Sequence, residues 1–246
     1  MKLDFAERIE RLKNILDEGN VVFFGGAGVS TESGIPDFRS TDGLYHQEYV
    51  YSPETIVSHS FFRENTEEFY RFYKDKMLFP NAEPNACHKT LAGLEQEGKL
   101  KAVVTQNIDG LHQKAGSKMV HELHGSVWRN YCEKCKKSHT MYEIIDKKGV
   151  PYCECGGLIK PDVVLYEERL DDEVMLKAIR AIAQANTLIV GGTSLVVYPA
   201  AGLLDYFQGK HLIVINRTPT YADESAELLF TEDIGCVFAA VMNKKR

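Results

Sequence analysis

Val21-Val22-Phe23-Phe24-Gly25-Gly26-Ala27-Gly28-Val29-Ser30 runs four apolar residues straight into a glycine turn. A short, uninterrupted Val/Phe run is what a strand buried on both faces requires. Glycines at its end permit a tight turn and close backbone approach, and the free N–H groups beyond suit a phosphate. A helix is expected to follow. The third glycine of G-x-G-x-x-G is missing, because Thr31 stands there. Taken alone, the loop fits an ordinary strand-to-helix turn as well as it fits a dinucleotide site.

Three further runs share the character of the first: Ala102 to Thr105, Thr187 to Val190 and Leu212 to Ile215. Together they predict a layered α/β sheet of buried parallel strands. Gln106-Asn107-Ile108-Asp109, Gly191-Gly192-Thr193-Ser194 and Asn216-Arg217 follow these strands. In open α/β sheets the ligand crevice lies outside the carboxyl ends of the strands, so all four strand-end segments should meet at one site. Gln106, Asn107 and Asp109 fit either ligand contact or helix capping.

The chain has 246 residues, of which 44% are hydrophobic, which suffices for one main core with a modest insert. Twenty-nine basic against 35 acidic residues leave a net charge of −6, so no general attraction to nucleic acid or anionic membrane is expected. Leu3, Ile9, Leu12, Ile15 and Leu16 recur near helical spacing between charges, predicting an amphipathic docking helix and no signal peptide. No apolar run reaches membrane-spanning length, and a cytoplasmic protein is expected. Between Phe38 and Pro84 lies an aromatic-rich stretch, helix-like from Pro53 onward, which predicts a helical lobe.

From Tyr131 to Gly157 the α/β rhythm breaks. Cys132-x-x-Cys135, seventeen residues, then Cys153-x-Cys155 stand among Lys, Glu and Gly, poor material for a core. Four thiolates can complete a tetrahedral zinc shell, which leaves no open position and makes the ion structural. The second pair has one intervening residue where two are usual. Histidine is the side chain suited to proton abstraction near neutrality, and His124, in Glu122-Leu123-His124-Gly125-Ser126, competes for that role with His112 and His121.

Gly26-Ala27-Gly28-Val29-Ser30, Gly34-Ile35-Pro36-Asp37-Phe38-Arg39, Thr105-Gln106-Asn107-Ile108-Asp109, His124-Gly125, the four-cysteine insert and Gly192-Thr193-Ser194 occur in the order found in sirtuins. From about Val21 to Val237 the chain resembles that family. The resemblance implies a Rossmann-type parallel sheet with helices on both faces, a small zinc-ribbon module and a cleft for NAD and an acetylated lysine peptide. It divides the chain into a discontinuous NAD-binding domain over 1–38, 85–125 and 161–246, a helical lobe over 39–84 and a zinc module over 126–160.

The implied activity is NAD-dependent removal of acetyl groups from protein lysines, an acyl transfer to ADP-ribose that yields nicotinamide and O-acetyl-ADP-ribose. By the same resemblance, Ala27, Thr31, Phe38 and Arg39 line the pyrophosphate and nicotinamide-ribose region. Gln106 and Asn107 hold ribose hydroxyls or an ordered water, and Ile108 and Asp109 receive the carboxamide. Gly192, Thr193, Ser194, Asn216, Arg217 and Cys236 fall on the adenosine half, and His124 becomes the general base acting on a ribose hydroxyl. Val164, Leu165 and Tyr166 would meet the substrate peptide. Glu167 stands where the family commonly has glycine, and Tyr73 stands where relatives that remove succinyl groups carry arginine, which favours neutral acyl groups. Mono-ADP-ribosyl transfer is a competing enzymatic reading. A nucleic-acid or protein adaptor is another, disfavoured by the acidic balance despite Lys134, Lys136, Lys137, Lys147 and Lys148.

Overall fold

The computed structural model describes residues 3–37 and 51–242. Phe38 and Arg39 lie outside them. The described strands are β1 Val21–Gly25, β2 Leu100–Thr105, β3 Val120–Glu122, β4 Gly125–Cys132, β5 Ser138–Thr140, β6 Ile159–Val163, β7 Thr187–Gly191, β8 His211–Ile215 and β9 Leu228–Phe230. The helices are α1 Phe5–Glu18, α2 Pro53–Ile56, α3 His59–Glu64, α4 Thr66–Lys76, α5 Ala86–Gln96, α6 Leu111–Ala115, α7 Met141–Asp146, α8 Asp172–Gln184 and α9 Ile234–Met242.

Six strands form one parallel sheet in the order β3-β2-β1-β7-β8-β9. The strand order reverses between β1 and β7, and that is where an open α/β sheet opens its crevice. Alternate residues of β1 serve two cores. Val21 and Phe23 pack with α1, α5 and α9 through Leu12, Leu91 and Phe238. Val22 and Phe24 pack on the opposite face with Ala178 and Ile182 of α8 and with Leu203. Burial on both sides explains why the sequence shows an unbroken apolar run here and not an alternation.

Helix α1 starts with a capping box, in which Glu7 N–H donates to Asp4 at 2.8 Å and Asp4 N–H donates to Glu7 at 2.8 Å. It buries Ile9, Leu12, Ile15 and Leu16 as expected, but Leu3 precedes the helix and is exposed. After Gly26 the chain forms two short 3-10 turns, Ala27–Val29 and Thr31–Ser33, in place of the expected helix. The reason is steric. Gly28 and Gly192, which has φ 58°, meet backbone to backbone, with Gly28 N–H donating to the Gly192 carbonyl at 2.8 Å. A Cβ on Gly28 would lie 2.9 Å from Gly192 Cα, so the two glycine loops lock together before a helix can propagate.

A second, three-stranded antiparallel sheet, β5-β4-β6, carries the cysteines. It shares a third core with the helical lobe, where Phe62, Phe69, Tyr70 and Tyr73 pack with Cys132, Met141 and Ile159.

Beneath the main sheet lies a buried pair, His88 of α5 and His112 of α6, with ring centroids 4.7 Å apart. Burial pushes His88 down to about 4, and burial followed by the neighbouring His88 charge pushes His112 well below its ordinary value. Both therefore fold as neutral rings. An unfolded chain binds these protons near pH 6.5 and the folded chain does not, so stability is lost as pH falls from about 6.5 toward 4. For His88 alone the loss is on the order of 3 kcal/mol. Chemical denaturation at pH 7 and pH 4.5 checks this, with His88→Gln expected to narrow the difference between the two midpoints; an equal difference in both proteins would count against it.

Candidate active site

The carboxyl ends of β1, β2, β7 and β8 open into one cleft of about 690 Å³. Its lining includes Ala27, Gly28 and Thr31 from the glycine loop, Gln106, Asn107, Ile108 and Asp109 after β2, and His124 after β3. Gly192, Thr193 and Ser194 after β7, Asn216 and Arg217 after β8, and Val164, Leu165 and Tyr166 after β6 complete the set. Two candidates stand apart. Gly26 lies under the loop, where a Cβ would come 2.8 Å from Thr193 Cβ. Cys236 is exposed beside Glu32 and Asp233 and does not line the cleft.

The polar floor is tied together by named bonds. Gln106 donates its amide to Thr193 Oγ1 at 3.1 Å, joining the ends of β2 and β7. Asn107 is buried, and its Nδ2 donates to Ser30 Oγ at 3.1 Å. Ser30 in turn donates to Asp109 Oδ2 at 2.7 Å, while Leu111 N–H donates to Asp109 Oδ1 at 2.8 Å. The Trp128 indole donates to the Asp109 carbonyl at 2.7 Å and so fixes the turn from beneath. Burial raises the Asp109 carboxyl above its ordinary value, against the two donors that hold it down. Ser30 is the connecting atom of this chain. The sequence offered one signal for it, its place at the end of the glycine loop.

Among the described residues, His124 is the histidine that lines the cleft. Its Nδ1 lies 2.9 Å from the Gln106 carbonyl, an oxygen that can only accept, so Nδ1 carries the hydrogen and Nε2 is the basic nitrogen. Burial lowers its pKa, opposed by that hydrogen bond, and the ring is neutral at pH 7. His112 belongs to the buried pair under the sheet, and His121 sits on β3; neither lines the cleft.

At the other end of β4 the four thiols converge. Cys132 and Cys155 Sγ are 3.5 Å apart, Cys135 and Cys153 Sγ 3.7 Å, and all four sulfurs lie within 4.8 Å of one another. A tetrahedral zinc with Zn–S near 2.3 Å has an S···S edge of about 3.8 Å, so the set fits a structural zinc. The shortened Cys153-x-Cys155 spacing brings its sulfurs into the cluster all the same.

Residues 26–199 match the family model described as the Sir2 family. The chain belongs to the Sir2 family. Among relatives, a protein named NAD-dependent protein deacetylase from Clostridium perfringens is 58% identical to this Sir2-family chain, over 96% of it and 99% of the relative. A second of that name, from Clostridium acetobutylicum, is 56% identical over 96% and 98%. A solved Sir2 complex with p53 peptide and NAD+ superposes with TM-score 0.84 at 40% identity, covering 95% of this Sir2-family chain and 97% of that one. A Sir2 variant with deacetylated p53 peptide and 3'-O-acetyl ADP-ribose superposes with TM-score 0.88 at the same identity, covering 95% and 97%.

Proposed function

We propose that this chain removes acetyl groups from protein lysines with consumption of NAD, yielding nicotinamide, deacetylated lysine and O-acetyl-ADP-ribose. The observation that carries this reading is His124, a neutral imidazole whose basic Nε2 belongs to the same cleft as Asn107 and Asp109. NAD, when bound, supplies the ADP-ribosyl acceptor for the acyl group. The glycine loop and Gly192–Ser194 offer backbone N–H groups and no bulky side chains to its phosphates. Asn107 and Gln106 hold polar groups for ribose hydroxyls, with Gln106 already oriented by Thr193. Asp109, held by Ser30 and Leu111, receives the carboxamide. His124 takes the proton from a ribose hydroxyl.

The same proposal divides the chain at residues 39–84 and 126–160 as a lobe and a zinc module on the NAD-binding domain. No described helix is long and apolar enough to cross a membrane, and all six cysteines are unbridged, which supports a cytoplasmic location. The partners are acetylated proteins.

The deciding experiment is release of nicotinamide from NAD that depends on an acetyl-lysine peptide. Labelled ADP-ribose on protein with no acyl-lysine consumed would instead establish ADP-ribosyl transfer. Because His124 must be neutral, the acidic limb of kcat/KM is expected to have its midpoint below the ordinary imidazole value of 6.5. A midpoint above 6.5 would remove His124 from this role.

Acyl choice follows from the lobe. Tyr73 is buried, stacked on Phe69, and Arg71 points to solvent paired with Glu68. Among the described residues, the cations lining the cleft are Lys76, paired with Asp75 at 3.0 Å, and Arg217 on the β8 side, paired with Asp233. Acetyl-lysine peptides are therefore expected to be cleaved at least about tenfold faster than succinyl-lysine peptides, since Tyr73 offers no guanidinium to a second carboxylate. Matched kcat/KM values check this, and a succinyl preference would overturn it.

A further inference from the structure

Beside the cleft, Ser52, Glu54, Thr55 and Ser58 of the lobe face Tyr166, Glu167 and Val196–Tyr198 across a depression of about 470 Å³. Tyr166, Glu167, Val197 and Tyr198 also line the large cleft, so the depression is its lateral continuation, next to the segment assigned to the substrate peptide. Its walls combine two carboxylates with exposed apolar surface: Tyr198 is 69% exposed, Val196 57% and Tyr166 39%. Among the described residues, no lysine, arginine or histidine lines it.

Glu167 is fixed in an unusual way. Its φ is 75°, a left-handed backbone that glycine adopts freely and glutamate rarely does. The Ser60 N–H and hydroxyl donate to its carboxylate at 2.9 and 2.6 Å. Both donors are neutral, so they orient the carboxylate and keep it ionised without cancelling its charge. A fixed negative charge beside open aromatic faces is what a cationic side chain needs at its head and along its stem.

We propose that this depression receives an arginine or lysine side chain of the substrate, within two residues of the acetyl-lysine. Glu167 pairs the charge, and Tyr198 and Tyr166 cover the aliphatic stem. This rests on the deacetylase reading and adds a sequence preference to it.

The test uses the full chain, NAD and acetyl-lysine peptides that differ by Arg, Ala or Glu at one of the two positions on either side of the acetyl-lysine. At one position at least, kcat/KM is expected to favour Arg over Glu by about tenfold, mainly through KM, with Ala between and the ratio shrinking as salt is raised. Glu167→Gln keeps an amide oxygen for both Ser60 donors and removes the charge, so the ratio should fall severalfold; Glu167→Lys should invert it. Each ratio is taken within one enzyme preparation, which makes it independent of the fraction folded. Equal rates for Arg and Glu peptides at every position, with peptide-dependent nicotinamide release intact, overturn the proposal and leave the deacetylase reading standing. An unchanged ratio in Glu167→Gln overturns it as well. If no acetyl peptide releases nicotinamide, the reading and the proposal fall together.

Discussion

Cys132→Ala is expected to abolish stoichiometric zinc binding and to lower the unfolding midpoint by on the order of 10 °C, the shift that a loss of about 3 kcal/mol gives in a chain of this size. Alanine leaves three thiolates where the geometry provides four. Few apolar residues lie between Glu133 and Lys137, so the loop has little else to hold it. The damage should spread beyond the loop. Cys132 and Cys153 belong to the core shared with Phe62, Tyr70 and Ile159, and Tyr70 donates its hydroxyl to the Ile159 carbonyl. Arg63 of α3 clamps Glu133 at 2.6 Å, and Lys74 of α4 donates to the Gly149 carbonyl at 2.8 Å. Loosening the module therefore loosens the lobe that borders the cleft. Metal analysis with thermal denaturation measures both effects. Active, folded protein without zinc would refute the assignment.

What the sequence revealed depended on how each element is buried. The strands β1, β2, β7 and β8 are covered on both faces, which demands continuous apolar runs, and runs of that kind are legible. β3 and β9 are three residues each at the sheet edges. Val120-His121-Glu122 is half-buried and too short to show a period, so nothing in its composition announces a strand. Cysteine spacing was legible because four-thiolate coordination constrains residue type directly. The choice among His112, His121 and His124 was not, because residue type cannot show which ring meets the Gln106 carbonyl in the cleft and which is buried beside His88. The family resemblance named His124; the geometry gives the physical reason. Glu167 illustrates the opposite case. Its departure from glycine was visible, but the Ser60 clamp that holds it in a left-handed backbone is a tertiary contact between α3 and the chain after β6.

His124→Ala and Asp109→Asn are expected to fail at different steps, although their side chains line the same cleft. Removing the imidazole removes a proton acceptor, so His124→Ala should still bind NAD and acetyl peptide while deacetylation falls by roughly 10²-fold or more, the usual scale for a general base. Asp109 does other work. Its two oxygens accept from Leu111 N–H and Ser30, and Ser30 accepts from Asn107, so the carboxylate organises the polar floor where the carboxamide is assigned. Asparagine preserves the size and one acceptor oxygen but removes the charge and presents an N–H₂ group to Ser30. Nicotinamide release and inhibition by added nicotinamide should therefore weaken together in Asp109→Asn, because both depend on holding the same carboxamide. In His124→Ala the nicotinamide-linked step should be far less affected than deacetylation. Parallel assays of nicotinamide release and deacetylation on both variants separate the two roles. The buried His112 and the β3 residue His121 are not among the described residues that line the cleft. Near-normal deacetylation by His124→Ala would sink the assignment of His124 as the general base while leaving the deacetylase activity itself established.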